Sequence, residues 1–264
     1  MPLTVSARAA TTAGSCLLDR RALAAPRPMR SCAIHQPNLL PRLSTLAKLY
    51  AAHVWVVLDD VQFARQDYQH RARLGALHVP ERQQWLSLET HLPNGRATLI
   101  RDAQLSDPER AIRRLLQLPA QHYHMSSHWP QVQAALAASV VPGGGNVGTA
   151  AIAEASTVAL LRHLGWRGTV VRSSDLASSS GRSARLADLT VAVGADTYLC
   201  GTGGMRYLDN RPFNQRDLRV YPFRPPTTTD RLWAEATKIS AVWAIARFGP
   251  ARVRIALDDL RVVI

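Results

Sequence analysis

Four short polar segments hold the residue types that proton transfer and anion binding require: His35-Gln36-Pro37-Asn38, Asp59-Asp60-Val61-Gln62, Ser173-Ser174-Asp175 and Gly201-Thr202-Gly203-Gly204. His35 is a candidate proton carrier, since imidazole exchanges protons near neutral pH. Its other use is to order the Pro37 turn by hydrogen bonds. Asp59 and Asp60 offer a base or a cation ligand, or a cap for the following helix. Adjacent carboxylates do not point the same way, so at most one of the two is expected to be catalytic. Gln62, Gln69 and Arg71 could clamp an anion or an amide, Arg71 by two parallel bonds; Arg65 and Arg73 read as solvated surface. Gly201, Gly203 and Gly204 would let a backbone approach a phosphate.

The elements that must position these groups follow from hydrophobic spacing. Cys32-Ala33-Ile34 is a short strand ended by the Pro37 loop, and Leu43 to Ala52 has helical spacing. Val54 to Leu58 is a continuous run of strand formers, as in the buried middle of a parallel sheet. Gln84 to Leu88 has β character. Ser106-Asp107-Pro108-Glu109 opens a helix that should end near Leu118, before Pro119. Helices are also expected over 131–140, 149–164 and 183–193, strands over 168–172 and 197–200, and a tight loop at Gly201 to Gly204. Pro142-Gly143-Gly144-Gly145 reads as a plain linker.

Strands separated by helical crossovers imply an α/β fold: a mainly parallel sheet with helices on both faces, in a single domain with a helical C-terminal part. The loops after the strands would then share one edge, where open α/β sheets place their ligands. On that reading His35, Asn38, Asp59, Arg71, Ser173 and the Gly201 to Gly204 loop line one cleft.

Several sharper readings fail on spacing. Neither Gly201 to Gly204 nor Gly143-Gly144-Gly145-Asn146 carries the lysine and hydroxyl of a P-loop, and no G-x-S-x-G is present. His122, His124 and His128 lack the spacing of a closed zinc site, so no metal is expected. Cys200 reads as a buried small hydrophobe rather than a nucleophile.

Composition sets the outer limits. At 264 residues with 47% apolar and 19% charged side chains, the chain has apolar surface enough for a core. Its formal charge is +13, but only Lys48 and Lys238 are lysines. A basic surface raises encounter rates with any anion, yet no basic run interleaved with aromatics marks a nucleic-acid interface. Cys16, Cys32 and Cys200 form no framework, which suits a reducing cytoplasm. No apolar stretch is long enough for an export signal or a membrane span. Residues 1–28 read as a disordered or peripheral extension ahead of a 29–264 domain.

One resemblance is specific. Ala33-Ile34-His35-Gln36-Pro37-Asn38 with Leu40-Pro41 and Lys48, then Val57 to Phe63, Gln69 with Arg71, and Trp85-Leu86 match the WbqC-like family in order. So do Ser173 to Leu176, Arg185-Leu186, Gly194 to Leu199 and Gly201 to Asp209. The likeness covers about residues 31–215 and loosely reaches 255. Tyr68, His70, Ala72, Arg42, Trp243 and Arg247 depart from the family's usual residues. The resemblance implies tailoring of an amino or acyl group in surface-glycan or specialised-metabolite biosynthesis. It adds Gln36, Lys48, Ser174, Arg185 and Tyr207 to the expected substrate-binding set.

The expected function is therefore a transferase-like biosynthetic enzyme acting on a small-molecule or sugar-nucleotide intermediate, by acyl or aminoacyl transfer or by amide or ester formation. Its partners would be an anionic intermediate and a carrier- or RNA-linked donor, with no membrane; the cofactor is unknown. One alternative is a non-catalytic binding or accessory protein for such an anion. Another is a nucleotidylyltransferase-like enzyme, whose β-loop-α-β opening is similar, although the second histidine of that class's phosphate-binding signature is missing here.

Overall fold

The computed structural model describes residues 29–140, 148–226 and 229–261. The expectations for residues 1–28 and for Gly143 to Gly145 lie outside them. The chain opens with strand β1 (Ser31–His35), helix α1 (Leu43–Ala51) and strand β2 (Val54–Val57). An antiparallel hairpin, β3 (Arg71–Gly75) with β4 (Gln83–Ser87), and a short pair, β5 (Thr90–His91) with β6 (Gln104–Leu105), stand apart from the main sheet. Helices α2 (Pro108–Tyr123), α3 (Trp129–Ala137) and α4 (Thr149–His163) follow, and β7 (Thr169–Arg172) returns to it. Then come α5 (Arg182–Ala192), β8 (Thr197–Gly201), the one-turn α6 (Thr202–Met205), α7 (Arg211–Asn214), β9 (Arg219–Phe223), α8 (Ala241–Phe248) and α9 (Pro250–Arg261).

The main sheet has the order β7-β2-β1-β8-β9, and every pair in it is parallel. In chain order its strands therefore stand third, second, first, fourth, fifth. This is a doubly wound arrangement whose direction of winding reverses between β1 and β8. Successive side chains of a strand point to opposite faces, and the burial follows. Ala33, Trp55, Val57 and Leu199 join the larger core under α1, α4, α8 and α9. Cys32, Ile34, Val54, Val56, Tyr198 and Cys200 join a smaller core under α5 and α7. Both faces are covered, so the strands carry apolar residues at nearly every position.

Several local results differ from the sequence reading. The helix expected to stop before Pro119 continues to Tyr123, with Pro119 buried inside it. A proline forfeits one ladder bond, to the carbonyl of Leu115. Tyr123 compensates by packing at full burial and donating its hydroxyl to the Gly75 carbonyl at 2.9 Å. Gly201 to Gly204 is the end of β8 followed by one helical turn rather than a tight loop. The sheet also gains β9, whose Pro222 sits in register with Cys200. That strand is an edge, the position where a missing N–H donor is tolerated.

Candidate functional site

β1 and β8 pair only at Ser31 with Thr197 and Cys32 with Tyr198, although both strands run three residues further. The gap opens where the winding reverses, at the carboxyl ends of the two strands. His35 ends β1 on one side and Gly201 ends β8 on the other. Two cavities meet there. The larger, about 860 Å³, is bounded by Gln36, Leu58, Asp60, the loop from Ser178 to Ser183, Arg185 and Tyr207. The smaller, about 330 Å³, is bounded by Arg42, Ser44, Thr45, Lys48, Gly201 to Gly204 and Phe223. Ile34, His35, Tyr198 and Gly204 line both.

The His35 imidazole has no hydrogen-bond partner among the described residues; its backbone carbonyl accepts from the Trp55 indole at 3.1 Å and from the Leu58 amide at 3.0 Å. Burial, and then the charges of Lys48 and Arg42, push it well below the ordinary 6.5. At neutral pH it is an uncharged base facing both cavities. Lys48, on α1, is 7% exposed and has no ion-pair partner among the described residues. Desolvation brings its ammonium down to about 8; the Cys200 and Cys32 thiols oppose this and Arg42 adds to it.

Behind the larger cavity lies a carboxylate cluster. Asp59 is buried and accepts from the Ser173 hydroxyl at 3.1 Å, the Ser174 amide at 3.1 Å and the Ser174 hydroxyl at 2.8 Å. With those bonds it pins the end of β7 to the end of β2, which is a positioning task. Asp60 faces the cavity, shares the single proton of the Ser173 hydroxyl with Asp59 and forms an ion pair with Arg185. Burial would raise its carboxyl, but Ser173 and Arg185 outweigh that and hold it below the usual carboxylate range. Arg185 in turn presents its guanidinium to the cavity beside Arg182, which lies over the Tyr207 ring at 5.9 Å.

The family model of the WbqC-like protein family matches residues 36–229, most of the chain. The chain belongs to that family. The match begins one residue past His35 and takes in α1, the carboxylate cluster and the β8 end, so it covers the lining of both cavities apart from Ile34, His35 and Thr237. The family points to a biosynthetic role. A relative, the "Uncharacterized protein Rv1507c" of Mycobacterium tuberculosis strain H37Rv, is 22% identical over 194 residues, covering 73% of this chain and 81% of the relative. No solved structure matches the chain significantly.

Of the WbqC-like motif residues, His35, Gln36, Lys48, Asp60, Arg185, Gly201, Gly203, Gly204 and Tyr207 line the paired cavities. Asp59, Ser173 and Ser174 stand just behind them. Four others do not line them. Asn38 is buried beneath its loop, its carbonyl accepting from Thr157 at 2.8 Å. Gln69 is fully buried and donates to the Gln36 side chain at 2.7 Å, so it positions Gln36. Arg71 spends its guanidinium on the Gln66 and Asp67 carbonyls and on the Trp85 ring, 4.5 Å away. Gln62 donates to the Arg96 carbonyl. The cleft expected from strand ends thus contains His35 and the Gly201 segment but not Asn38 or Arg71.

Elsewhere, His122 is hydrogen-bonded to Gln84 and His124 to the Ala120 carbonyl. Cys200 is fully buried and its thiol is pushed up by desolvation, which disfavours the thiolate a nucleophile needs. Sequence reasoning missed Arg42, Arg182, Ser44, Thr45 and Tyr198 as lining residues. The Ser178-Ser179-Ser180-Gly181-Arg182 run that leads into α5 was the available signal for one of them. No helix among the described residues is long and apolar enough to cross a membrane.

Proposed function

We propose that this protein is a cytoplasmic biosynthetic enzyme that transfers an acyl or aminoacyl group onto a small-molecule or sugar-nucleotide acceptor, from an activated, carrier- or RNA-linked donor. The observation that supports this most is the unpartnered, uncharged imidazole of His35 at the meeting point of two cavities. One cavity suits the acceptor and the other the anionic handle of a substrate. His35 takes the proton from the acceptor amine or hydroxyl as its nitrogen or oxygen bonds to the acyl carbon. The bond to the donor's leaving group breaks, and that group receives the proton. The polar loop from Ser178 to Ser183, with Arg182 and Arg185, would orient the acceptor.

The test pairs amino-sugar nucleotides with acyl thioesters and aminoacyl donors and follows product mass. Product from the native chain, lost in His35→Ala at an unchanged thermal midpoint, supports the reading. Undiminished product from His35→Ala overturns the mechanism. No product from any pairing overturns the reaction class.

The winding order favours a second reading. A strand order of third, second, first, fourth, fifth with a histidine ending the first strand also suits nucleotidyl transfer. Release of pyrophosphate from ATP and magnesium in the presence of an acceptor phosphate would distinguish it from acyl transfer.

A further inference from the structure

The smaller cavity has a one-sided charge. Arg42 and Lys48 line it, and no aspartate or glutamate is among its lining residues. Lys48 is more than nine-tenths buried, has no ion-pair partner among the described residues, and ends at the cavity wall beside Gly201. Burying an ammonium without a counter-charge is costly, so the position calls for an anion that arrives from outside. Arg42 repeats the pattern. One of its nitrogens donates to the Thr237 carbonyl at 3.1 Å and its plane rests on the Tyr68 ring, but its Nε is buried without a partner.

The surrounding groups agree in sign and in chemistry. Ser44 and Thr45, in the first turn of the nine-residue α1, line the cavity, and that turn carries no acid. A helix start is electropositive and favours an anion. Thr202 and Thr237 also line the cavity.

We infer that the smaller cavity is a phosphoryl-binding seat, in which Lys48 and Arg42 hold the phosphate or diphosphate of the substrate beside His35 while the rest of the substrate fills the larger cavity. This names the substrate class of the site described under the proposed function and rests on that reading of the cleft. The seat also explains how one histidine serves as an effective base. Burial is the larger cause of the lowered imidazole value, and an anion there offsets the remaining part, the charges of Lys48 and Arg42, so the imidazole becomes more basic when substrate is bound.

The pH behaviour of the seat is set by the groups facing Lys48: His35 and Cys32 from β1, Tyr198 and Cys200 from β8, and Arg42 ahead of α1. None of them is an acid ionised at neutral pH. Anion affinity should therefore fall as Lys48 loses its proton.

Calorimetric titration of the full chain with inorganic phosphate and with pyrophosphate, at low salt near neutral pH, tests the inference. One anion is expected per chain, with affinity falling roughly ten- to a hundredfold in Lys48→Met and falling again for the native chain as pH is raised past about 8. Arg42→Gln serves as a second variant with the same expected direction, and thermal midpoints report that both fold. His35→Ala should keep phosphate binding, so loss of turnover there and loss of binding in Lys48→Met are separate results. No heat with either anion at millimolar concentration would overturn the seat. So would binding unchanged in Lys48→Met, or binding lost only when Arg65, Arg110 and Arg114 of the separate 710 Å³ cavity are neutralised.

Discussion

A methyl group placed on Gly201 would lie 3.7 Å from both Cδ and Nζ of Lys48, so the bare end of β8 is the wall against which the buried ammonium rests. Both residues line the smaller cavity. The contact joins the strand end to the first helix across the gap where the winding reverses.

Replacing Lys48 by Met should stabilise the unliganded protein. The folded-state value of about 8 lies below the ordinary 10.5, so below pH 8 both folded and unfolded chains hold the proton and the desolvation cost is fully present. Between those values the unfolded chain binds a proton the folded one has released, and native stability rises with pH. The gain from Lys48→Met is thus largest at neutral pH, on the order of 3 kcal/mol, and shrinks as pH rises toward 10.5. Denaturant titrations of both proteins across that range measure it. A Lys48→Met protein less stable at pH 7 would contradict an unpaired buried charge.

Gly204 and Gly203 give a matched pair. A Cβ on Gly204 would stand 2.8 Å from Cys200 Sγ, closer than real contacts allow, whereas one on Gly203 meets nothing within 4 Å. Cys200 is fully buried and cannot move aside. Gly204→Ala should therefore cost about 1–3 kcal/mol and displace α6. Gly203→Ala should be close to silent in thermal denaturation.

The carboxylate cluster divides by role. Asp59→Ala strands the part-buried amide and hydroxyl of Ser174 and leaves the Ser173 hydroxyl to Asp60, and should destabilise the chain by about 1–3 kcal/mol. Asp60 is different because its folded value is depressed below 3.8. The stability it contributes is present above that pH and is lost as pH falls through the folded value. Asp60→Asn should therefore flatten the acid limb of the stability curve below about pH 4, as circular dichroism would record.

Much of this architecture was legible in the sequence because both faces of the sheet are covered, which makes its inner strands continuous apolar runs. Val54 to Leu58 is the clearest. β9 was hidden by Pro222, which reads as a strand breaker and is tolerated only because the strand is an edge. β3 was hidden by its arginines, although Arg71-Ala72-Arg73-Leu74 alternates as a half-buried strand should, with both arginines laid over the Trp85 ring. His35 and the Gly201 segment could be placed at strand ends, and strand order then brought them together. Arg71 could not be placed, because its partners are the Gln66 and Asp67 carbonyls, a tertiary outcome with no sequence pattern. The isolation of Lys48 was equally invisible, since it depends on what α1 packs against.

The central claim is that the two cavities sharing His35 are one substrate site. The most direct measurement is a crystal structure of the full chain with a uridine diphosphate amino sugar. The account predicts the diphosphate against Lys48 and Arg42, the amino sugar beneath Arg182 and Arg185, and His35 between them. Ligand in the separate cavity lined by Arg65, Arg110 and Arg114, with the space around His35 empty, would contradict it.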